Sequence, residues 1–214
     1  MTLTINEIFY SIQGETTTAG LTSVFVRLSG CNLSCSYCDT AHARTEGYEM
    51  QLDAILNEIE KCRSANHVTI TGGEPLLQNN TIPLVKKILE AGRKVQIETN
   101  GSILLKDVPE QVRKIVDVKT PSSGEADSFD MRNLKYLTGR DEMKFVIADS
   151  ADYDFSKDFI SKYLTKKGIT INFSPVYGSM PGMELADRIL ADRLPVRLNL
   201  QLHKILWGPT QRGK

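Results

Sequence analysis

The stretch SVFVRLSGCNLSCSYCDT, residues 23–40, joins an apolar, β-branched run directly to a loop that contains three cysteines. Similar apolar runs follow along the chain, and amphipathic helical patterns lie between several of them. The further predicted strands are 67–71, 94–99, 114–118, 143–148, 169–174 and 196–201, and the helical patterns are 50–64, 81–92, 152–166 and 182–193. Strands and helices that alternate at this spacing predict parallel βαβ units.

The chain length limits the architecture that these units can form. A complete eight-stranded α/β barrel needs about 250 residues, whereas this chain has 214. We therefore predict an α/β fold in which about six parallel strands form a partial, open barrel with reduced helices. No linker, repeat or low-complexity tract interrupts the sequence, so residues 1–214 are predicted to form a single domain.

Unusual polar and glycine-rich segments follow five of the predicted strands. They are SGCNLSCSYCDT (29–40), TGGEP (71–75), ETNG (98–101), DVKTPSSGE (117–125) and SPVYG (174–178). The carboxyl ends of parallel strands meet at one edge of a sheet, where α/β folds bind their ligands. The sequence therefore predicts one site built from all five segments.

The cysteine loop, residues 29–40, predicts a metal centre. Cys31, Cys35 and Cys38 have the spacing C-x3-C-x2-C, and thiolates are soft ligands that suit iron–sulfur clusters and zinc. Three thiolates can bind three irons of a [4Fe–4S] cluster and leave the fourth iron open for a substrate. A structural zinc site completed by His42 is the alternative, although it does not explain TGGEP or ETNG. Cys62 is predicted to be a small, buried apolar side chain.

Composition narrows the class of partner. Lys plus Arg and Asp plus Glu both number 26, so the chain has no net charge. This balance favours a small-molecule substrate over nucleic acid or an anionic membrane. The amino terminus has no signal-peptide pattern and no apolar run approaches the roughly 20 residues that span a bilayer. With three cysteines crowded together as in metal ligation, we expect a cytoplasmic protein.

With Tyr37 before the last cysteine, the C-x3-C-x2-C pattern resembles that of the radical SAM superfamily. Members bind S-adenosylmethionine (SAM) at the open iron of a [4Fe–4S] cluster and cleave it to a 5′-deoxyadenosyl radical. The resemblance implies that TGGEP binds the methionyl ammonium of SAM and that ETNG binds its ribose. It also implies that the serines that follow Lys119 bind the methionyl carboxylate, and that SPVYG and the backbone at 37–39 contact adenosine. The SAM-binding residues implied in this way are Tyr37, Asp39, Gly72, Gly73, Glu74, Glu98, Asn100, Lys119, Ser122, Ser123, Ser174, Pro175, Val176 and Tyr177.

Two further segments, IFYSIQGE (8–15) and LNLQLHKILWGP (198–209), narrow the resemblance. Together with VRLSGC (26–31) and CDT (38–40), they are similar to the 7-carboxy-7-deazaguanine synthase family over nearly the whole chain. That family converts 6-carboxy-5,6,7,8-tetrahydropterin to 7-carboxy-7-deazaguanine with loss of ammonia, on the route to queuosine and other 7-deazapurines.

The narrower resemblance implies a substrate site and a Mg²⁺ ion. A carboxylate such as Glu15 suits the N–H donors of the pterin's pyrimidinone edge, and Arg27 suits its carboxylate. The implied substrate-binding residues are Ile12, Gln13, Gly14, Glu15, Arg27, Thr71, Gln201 and His203, the last two on the final predicted strand. Thr40 is the implied Mg²⁺ ligand, and a hydroxyl that caps the loop is the alternative for it.

Partners and rival functions follow from the same resemblance. It implies a homodimer and an external electron donor such as flavodoxin or ferredoxin. The rival enzyme is a radical SAM activase that generates a glycyl radical on a protein. The rival from another class is an iron–sulfur or zinc module for binding or electron transfer.

Overall fold

The computed structural model describes residues 1–164, 168–209 and 212–213. Within them, nine strands form one sheet: β1 (Thr2–Ile12), β2 (Thr22–Leu28), β3 (Tyr48–Gln51), β4 (His67–Gly72), β5 (Lys94–Thr99), β6 (Arg113–Val118), β7 (Glu142–Ile147), β8 (Thr170–Pro175) and β9 (Arg197–Leu198). The α-helices are α1 (Leu52–Lys61), α2 (Thr81–Glu90), α3 (Ser150–Tyr163), α4 (Gly182–Ala191) and α5 (Leu202–Trp207). No helix in these ranges is long and apolar enough to cross a membrane.

The strand order is β3-β1-β2-β4-β5-β6-β7-β8-β9. From β2 to β9 every neighbouring pair is parallel, whereas β1 pairs antiparallel with β2 and β3. Full-length helices cross over between only some strands, because short 3₁₀ turns replace them around β6. The predicted partial barrel of about six parallel strands with reduced helices is confirmed.

The two faces of the parallel strands differ in chemistry. Side chains alternate along a strand, and one face carries apolar residues such as Ile70, Ile97 and Phe145, which belong to the core cluster shared with α1, α2 and α3. The opposite, inward face carries polar residues at neighbouring positions, namely Thr69, Thr71, Gln96, Glu98, Asp117, Glu142, Lys144, Asn172 and Ser174. The sheet therefore packs on its outer face and presents polar groups to the barrel interior.

The connection from β1 to β2, residues 13–21, covers part of that polar face, and we call it the plug loop. The Thr17 amide donates to both carboxylate oxygens of Glu142 at 3.1 Å, and Thr18 Oγ1 donates to Gln96 Oε1 at 2.9 Å. Thr16 takes a left-handed φ of 69°, and its amide donates to Asn199 Oδ1 at 2.8 Å. Polar side chains of three strand regions thereby hold this loop inside the barrel.

Two parts of the predicted strand pattern are wrong. The predicted strands did not include β1, before residue 23, or β3, at Tyr48–Gln51, yet both extend the sheet beyond β2. The alternation of Leu3 and Ile5, whose side chains are both buried, was the local signal for β1. The final predicted strand 196–201 is reduced to Arg197–Leu198; Gln201 is instead the N-cap of helix α5, and His203 lies in the first turn of that helix.

The helix bounds differ by a few residues from the predicted ones. The 50–64 pattern divides into the edge strand β3 and the helix α1, which ends at Lys61, while Cys62 is partly buried against the core. Within the predicted 152–166 helix, residues 165–166 lie outside the described residues.

Candidate active site

A cavity opens at the carboxyl edge of the sheet, where the five segments singled out in the sequence converge. The predicted site residues that line it are Ile12, Gln13, Gly14, Glu15, Arg27, Cys31, Cys35, Tyr37, Cys38, Asp39, Thr40, Thr71, Gly72, Gly73, Glu98, Asn100, Lys119, Val176, Tyr177, Gln201 and His203. The predicted residues that do not line it are Glu74, Ser122, Ser123, Ser174 and Pro175.

The cysteine loop forms one wall of the cavity. Cys31, Cys35 and Cys38 are all free thiols of intermediate exposure. The loop is tied to the segment after β6, because the Ser36 amide donates to the Ser123 carbonyl at 3.0 Å and the Ser34 amide to Glu125 Oε1 at 2.7 Å. Backbone and neighbouring side chains thus hold the loop in place while its three sulfur atoms face the cavity.

The donor set in this wall suits an iron–sulfur cluster. Asn100 Nδ2 lies 4.0 Å from Cys31 Sγ. Burial raises the pKa of the Cys35 thiol, and the nearby Lys119 ammonium opposes that rise. Among residues 1–164, 168–209 and 212–213, no three histidine, cysteine, aspartate or glutamate side chains converge closely enough to hold a single ion. The three cysteines and His42 are therefore not arranged as a Cys₃His zinc site within those residues.

The TGGEP segment approaches the cysteine loop closely through its glycines. A Cβ atom on Gly73 would lie 2.1 Å from the carbonyl oxygen of Gly30, so any larger residue would push the two segments apart. The Glu74 amide donates to the same carbonyl at 2.8 Å. Glycine at position 73 is therefore required by protein packing as well as by access for a ligand.

Glu74 lies beneath this segment and is fully buried. Its carboxylate accepts hydrogen bonds from the Thr99 hydroxyl at 2.9 Å and from the amides of Asn100 at 2.7 Å and Leu76 at 3.0 Å. Burial raises the pKa of Glu74, and these donors oppose the rise. In this structure the carboxylate joins the ends of β4 and β5, which positions TGGEP and ETNG relative to each other.

Three of the other predicted SAM-binding residues outside the cavity also have protein partners. Ser122 Oγ donates to Asp149 Oδ2 at 3.0 Å, Ser123 Oγ to the Thr120 carbonyl at 2.6 Å, and Ser174 Oγ accepts from Asn199 at 2.8 Å. Their contacts with SAM stay predictions. Tyr37, which does line the cavity, has its hydroxyl 3.0 Å from Thr120 Oγ1.

At the other end of the cavity, Glu15 is held between two donors. Its Oε2 accepts from Lys144 Nζ at 2.8 Å and its Oε1 from Gln201 Nε2 at 2.7 Å. Burial alone raises the pKa of Glu15, but the Lys144 ammonium and these hydrogen bonds outweigh it, so the pKa lies below its usual value. The plug loop therefore presents an oriented carboxylate to the cavity.

The plug loop and helix α5, which lie near opposite ends of the chain, meet at this site through Gly14 and His203. A Cβ atom on Gly14 would lie 2.1 Å from His203 Nδ1, and the Leu202 amide donates to the Gly14 carbonyl at 2.9 Å. Lys204 Nζ also pairs with Asp39 Oδ2 at 2.7 Å. Helix α5 thereby contacts both the plug loop and the cysteine loop.

Between the cysteine-loop end and the Glu15 end of the cavity lie Arg27, Thr71 and Glu98. Arg27 Nε pairs with Glu7 Oε1 at 2.7 Å while its side chain still lines the cavity. Thr71 Oγ1 donates to Glu98 Oε2 at 2.9 Å, and Gln13 Nε2 donates to Glu98 Oε1 at 3.1 Å. Burial raises the pKa of Glu98. Glu98, which was predicted to bind ribose, therefore accepts hydrogen bonds from Thr71 and Gln13, which were both predicted to bind the substrate.

Thr40 precedes the 3₁₀ turn Ala41–Arg44, and its side chain makes no capping hydrogen bond to that turn. Its hydroxyl lies within hydrogen-bond distance of Cys38 Sγ, at 3.9 Å, and Thr40 lines the cavity. The hydroxyl therefore caps no turn but does contact the cysteine loop, and its role as a Mg²⁺ ligand stays a prediction.

Four charged residues that line the cavity were not predicted as site residues: Arg44, Asp117, Lys144 and Lys204. Asp117 and Lys144 interrupt the apolar strands KIVDV and MKFVIA, and an ionisable residue inside a buried strand was the signal that could have identified them. Asp117 Oδ2 lies 3.0 Å from Lys119 Nζ and 3.5 Å from Lys144 Nζ.

Comparisons with known proteins agree in family. The family model described as the radical SAM superfamily matches residues 25–182. A protein named 7-carboxy-7-deazaguanine synthase from Koribacter versatilis is 42% identical, over 98% of this chain and 99% of its own length. Another of the same name, from Chlorobaculum tepidum, is 41% identical over 99% of this chain and 97% of its own length. The crystal structure of QueE from Escherichia coli has a TM-score of 0.78 and 25% identity, over 95% of both chains.

Proposed function

Because the chain belongs to the 7-carboxy-7-deazaguanine synthase family of the radical SAM superfamily, we propose that its carboxyl-edge cavity converts 6-carboxy-5,6,7,8-tetrahydropterin to 7-carboxy-7-deazaguanine with loss of ammonia. The observation that carries this proposal is the joint lining of one cavity by three free cysteines and by the Glu15–Lys144–Gln201 group. The first set suits a radical-generating cofactor, and the second suits a polar, planar substrate.

The cofactors of this family are a [4Fe–4S] cluster and SAM, and Cys31, Cys35 and Cys38 are the residues that would hold the cluster. When bound, the two groups together supply the 5′-deoxyadenosyl radical that starts the reaction. For SAM we propose the cavity-lining members of the predicted set, namely Tyr37, Asp39, Gly72, Gly73, Glu98, Asn100, Lys119, Val176 and Tyr177. Glu74 orients this set by joining the ends of β4 and β5.

The substrate is proposed to lie between Glu15 and Arg27. The pyrimidinone edge of the pterin has adjacent N–H donors, for which an ionised carboxylate is a two-oxygen acceptor. The guanidinium of Arg27 would bind the substrate carboxylate, with the Glu7 pair fixing its orientation. The main chain of 12–14, Thr71, Gln201 and His203 complete the cavity around the ring.

In catalysis the protein positions the reacting atoms and excludes water, since the cofactor carries the difficult chemistry. Plug loop, cysteine loop and helix α5 enclose the cavity and contact one another through Gly14, Asp39 and Lys204. A substrate enclosed in this way presents a fixed carbon to the radical.

Three finer parts of the proposal concern metal, partners and location. We propose that Thr40 binds Mg²⁺ together with substrate oxygens and water, because Mg²⁺ commonly uses few protein ligands. We further propose a homodimer, an external electron donor such as flavodoxin or ferredoxin, and a cytoplasmic location.

Anaerobic reconstitution of the protein with iron and sulfide, followed by reduction and addition of SAM and the carboxypterin, tests the function. We expect 7-carboxy-7-deazaguanine as product. Formation of 5′-deoxyadenosine with no conversion of the carboxypterin would contradict the substrate and favour the activase. A colourless, zinc-loaded protein that takes up no iron would contradict the cofactor and favour a binding module.

A further inference from the structure

Lys144 lies at the centre of a charged group that spans the floor of the cavity. It stands on β7, in register with Asp117 on β6, and its side chain is 14% exposed. Its Nζ atom is 2.8 Å from Glu15 Oε2 and 3.5 Å from Asp117 Oδ2. One ammonium therefore contacts carboxylates from two separate parts of the site.

Stability alone does not account for this arrangement. A buried ion pair is weak evidence for stability, because well-packed apolar residues of similar volume are often neutral or stabilising in its place. The side chains of Lys144 and Glu15 are directed into a cavity rather than into the packed core. Such a pair is suited to holding a group in the orientation that a ligand needs.

Glu15 lines the cavity, and its hydrogen bonds to the protein leave acceptor capacity on both carboxylate oxygens. Each oxygen accepts one hydrogen bond from the protein, from Gln201 on Oε1 and from Lys144 on Oε2. An ionised carboxylate has roughly four acceptor positions. The two that remain match a ligand with two adjacent N–H donors, as on an aminopyrimidinone ring.

We propose that Lys144 is the positioning residue for substrate recognition, which keeps Glu15 as an oriented carboxylate that accepts from the aminopyrimidinone edge. This inference rests on the proposed function. It assigns no proton transfer to Lys144, whose pKa is held well above its usual value: burial alone lowers it, but the carboxylates of Glu15, Asp117 and Glu98 raise it further. The ammonium therefore stays charged throughout the neutral range.

The other charged groups near the pair do not replace this cation. Asp117 faces it from β6, Lys119 from the segment just after β6, Glu98 from β5, Asp39 from the cysteine loop and His203 from α5. Burial lowers the pKa of His203, and Lys119 is paired with Asp117. Removal of Lys144 thus leaves Glu15 buried with only the Gln201 amide as a side-chain donor.

The test compares Lys144→Met and Lys144→Arg with Lys114→Met. Lys114 is a matched control because it is also a buried lysine in an ion pair, with Asp141 at 3.3 Å, and does not line the cavity. The first measurement is calorimetric binding of 7-carboxy-7-deazaguanine, which retains the aminopyrimidinone edge. For Lys144→Met we expect a Kd raised by about 10–100-fold, as for loss of a hydrogen bond to a charged group, with partial recovery in Lys144→Arg.

Anaerobic kinetics supply the readout that a merely structural role would not change. In Lys144→Met the KM for the carboxypterin should rise while kcat changes little. The acid limb of kcat/KM should move to higher pH, because Glu15 without its cation protonates more readily. The double variant Lys144→Met/Glu15→Gln should bind the product no more weakly than Glu15→Gln alone. If Lys144→Met does not fold, Lys144→Gln carries the same expectations.

Several results would overturn the inference. They are an unchanged Kd and acid limb in the folded Lys144 variants, equal loss of binding in Lys114→Met, or full additivity in the double variant. Failure of the wild-type protein to convert the carboxypterin would refute the proposed function instead. Uncoupled formation of 5′-deoxyadenosine from SAM, without substrate, should stay the same in Lys114→Met as in the wild type, because Lys114 does not line the cavity.

Discussion

The plug loop and the cysteine loop face the same cavity but are built in opposite ways. In the plug loop Gln13, Glu15, Thr16 and Thr18 are all buried, and their polar groups bond to strands across the barrel. In the cysteine loop the three thiols are half-exposed and Asn32, Ser34, Ser36 and Asp39 are exposed. One loop has its polar groups satisfied by the protein, whereas the other presents its reactive groups to the cavity.

This difference separates two tasks of the site. A buried polar network is rigid only when its members have partners, and the plug loop meets that condition at Thr16, Thr17 and Glu15. In the proposed function, the sulfur atoms of the cysteine loop must stay available to iron. Under that proposal, substrate recognition is preorganised by the fold, and the radical chemistry is left to a cofactor.

The sharpest way to break the comparison is to remove one thiol. Cys35→Ala should abolish cluster binding and lower product formation by more than about a thousandfold, because the cofactor carries the chemistry. The thermal unfolding of the metal-free protein should be nearly unchanged, since the partly exposed Cys35 thiol lines the cavity and does not belong to the core cluster of the described residues. Cys62→Ala is the matched control and should retain iron content and activity. Normal iron uptake by Cys35→Ala would contradict the ligand assignment.

The opposite loop is tested at its anchor. Glu142 is buried and accepts from the Thr17 amide, the Thr17 hydroxyl and Asn172 Nδ2. Glu142→Ala leaves these donors without an acceptor, so it should lower the free energy of unfolding by about 2–4 kcal/mol, measured by urea titration. Glu184→Ala, which removes an exposed i,i+4 pair with Arg188, should change it by less than about 0.5 kcal/mol. Similar losses in both variants would contradict a preorganised plug loop.

The pH dependence of stability sharpens the role of Glu15. Its pKa is lowered in the folded protein, so its contribution is fully present above the unfolded value near 4.5 and is lost as the pH falls through the folded value. Between pH 7 and 5, the free energy of unfolding of the wild type should exceed that of Glu15→Gln by about 1–2 kcal/mol. The difference should shrink below pH 4.5 in urea titrations. If the difference in free energy of unfolding instead grew on acidification, the pKa of Glu15 would be raised in the folded protein, and the prediction would be wrong.

The smallest effect is expected at Thr40. Thr40→Ala should lower activity a few-fold, mainly by weakening the response to Mg²⁺, whereas Thr40→Ser keeps the hydroxyl and should respond like the wild type. Steady-state rates across a Mg²⁺ titration measure this. An unchanged titration in Thr40→Ala would refute the Mg²⁺ role.

Much of the fold was predictable because its signals are local. The apolar runs at 67–71 and 94–99 coincide with β4 and β5 to within one residue, and the edge segments meet as expected. Strand β9 was predicted too long, because apolar alternation at 196–201 does not reveal that the strand ends before Asn199, whose side chain bonds to Thr16 and Ser174. These bonds join Asn199 to residues far away in sequence.

The sequence by itself determined which functional motif follows which strand. A C-x3-C-x2-C loop follows one strand, TGGEP follows the next, and further polar segments follow other strands to the same edge of the sheet. Spacing along the chain is enough for this, since consecutive parallel strands bring their carboxyl ends together. Only the tertiary structure decided that Glu15 meets Lys144, 129 residues away, and Gln201, 186 residues away. Such pairs leave no periodicity in the sequence, because they exist only once the barrel has closed around the plug loop.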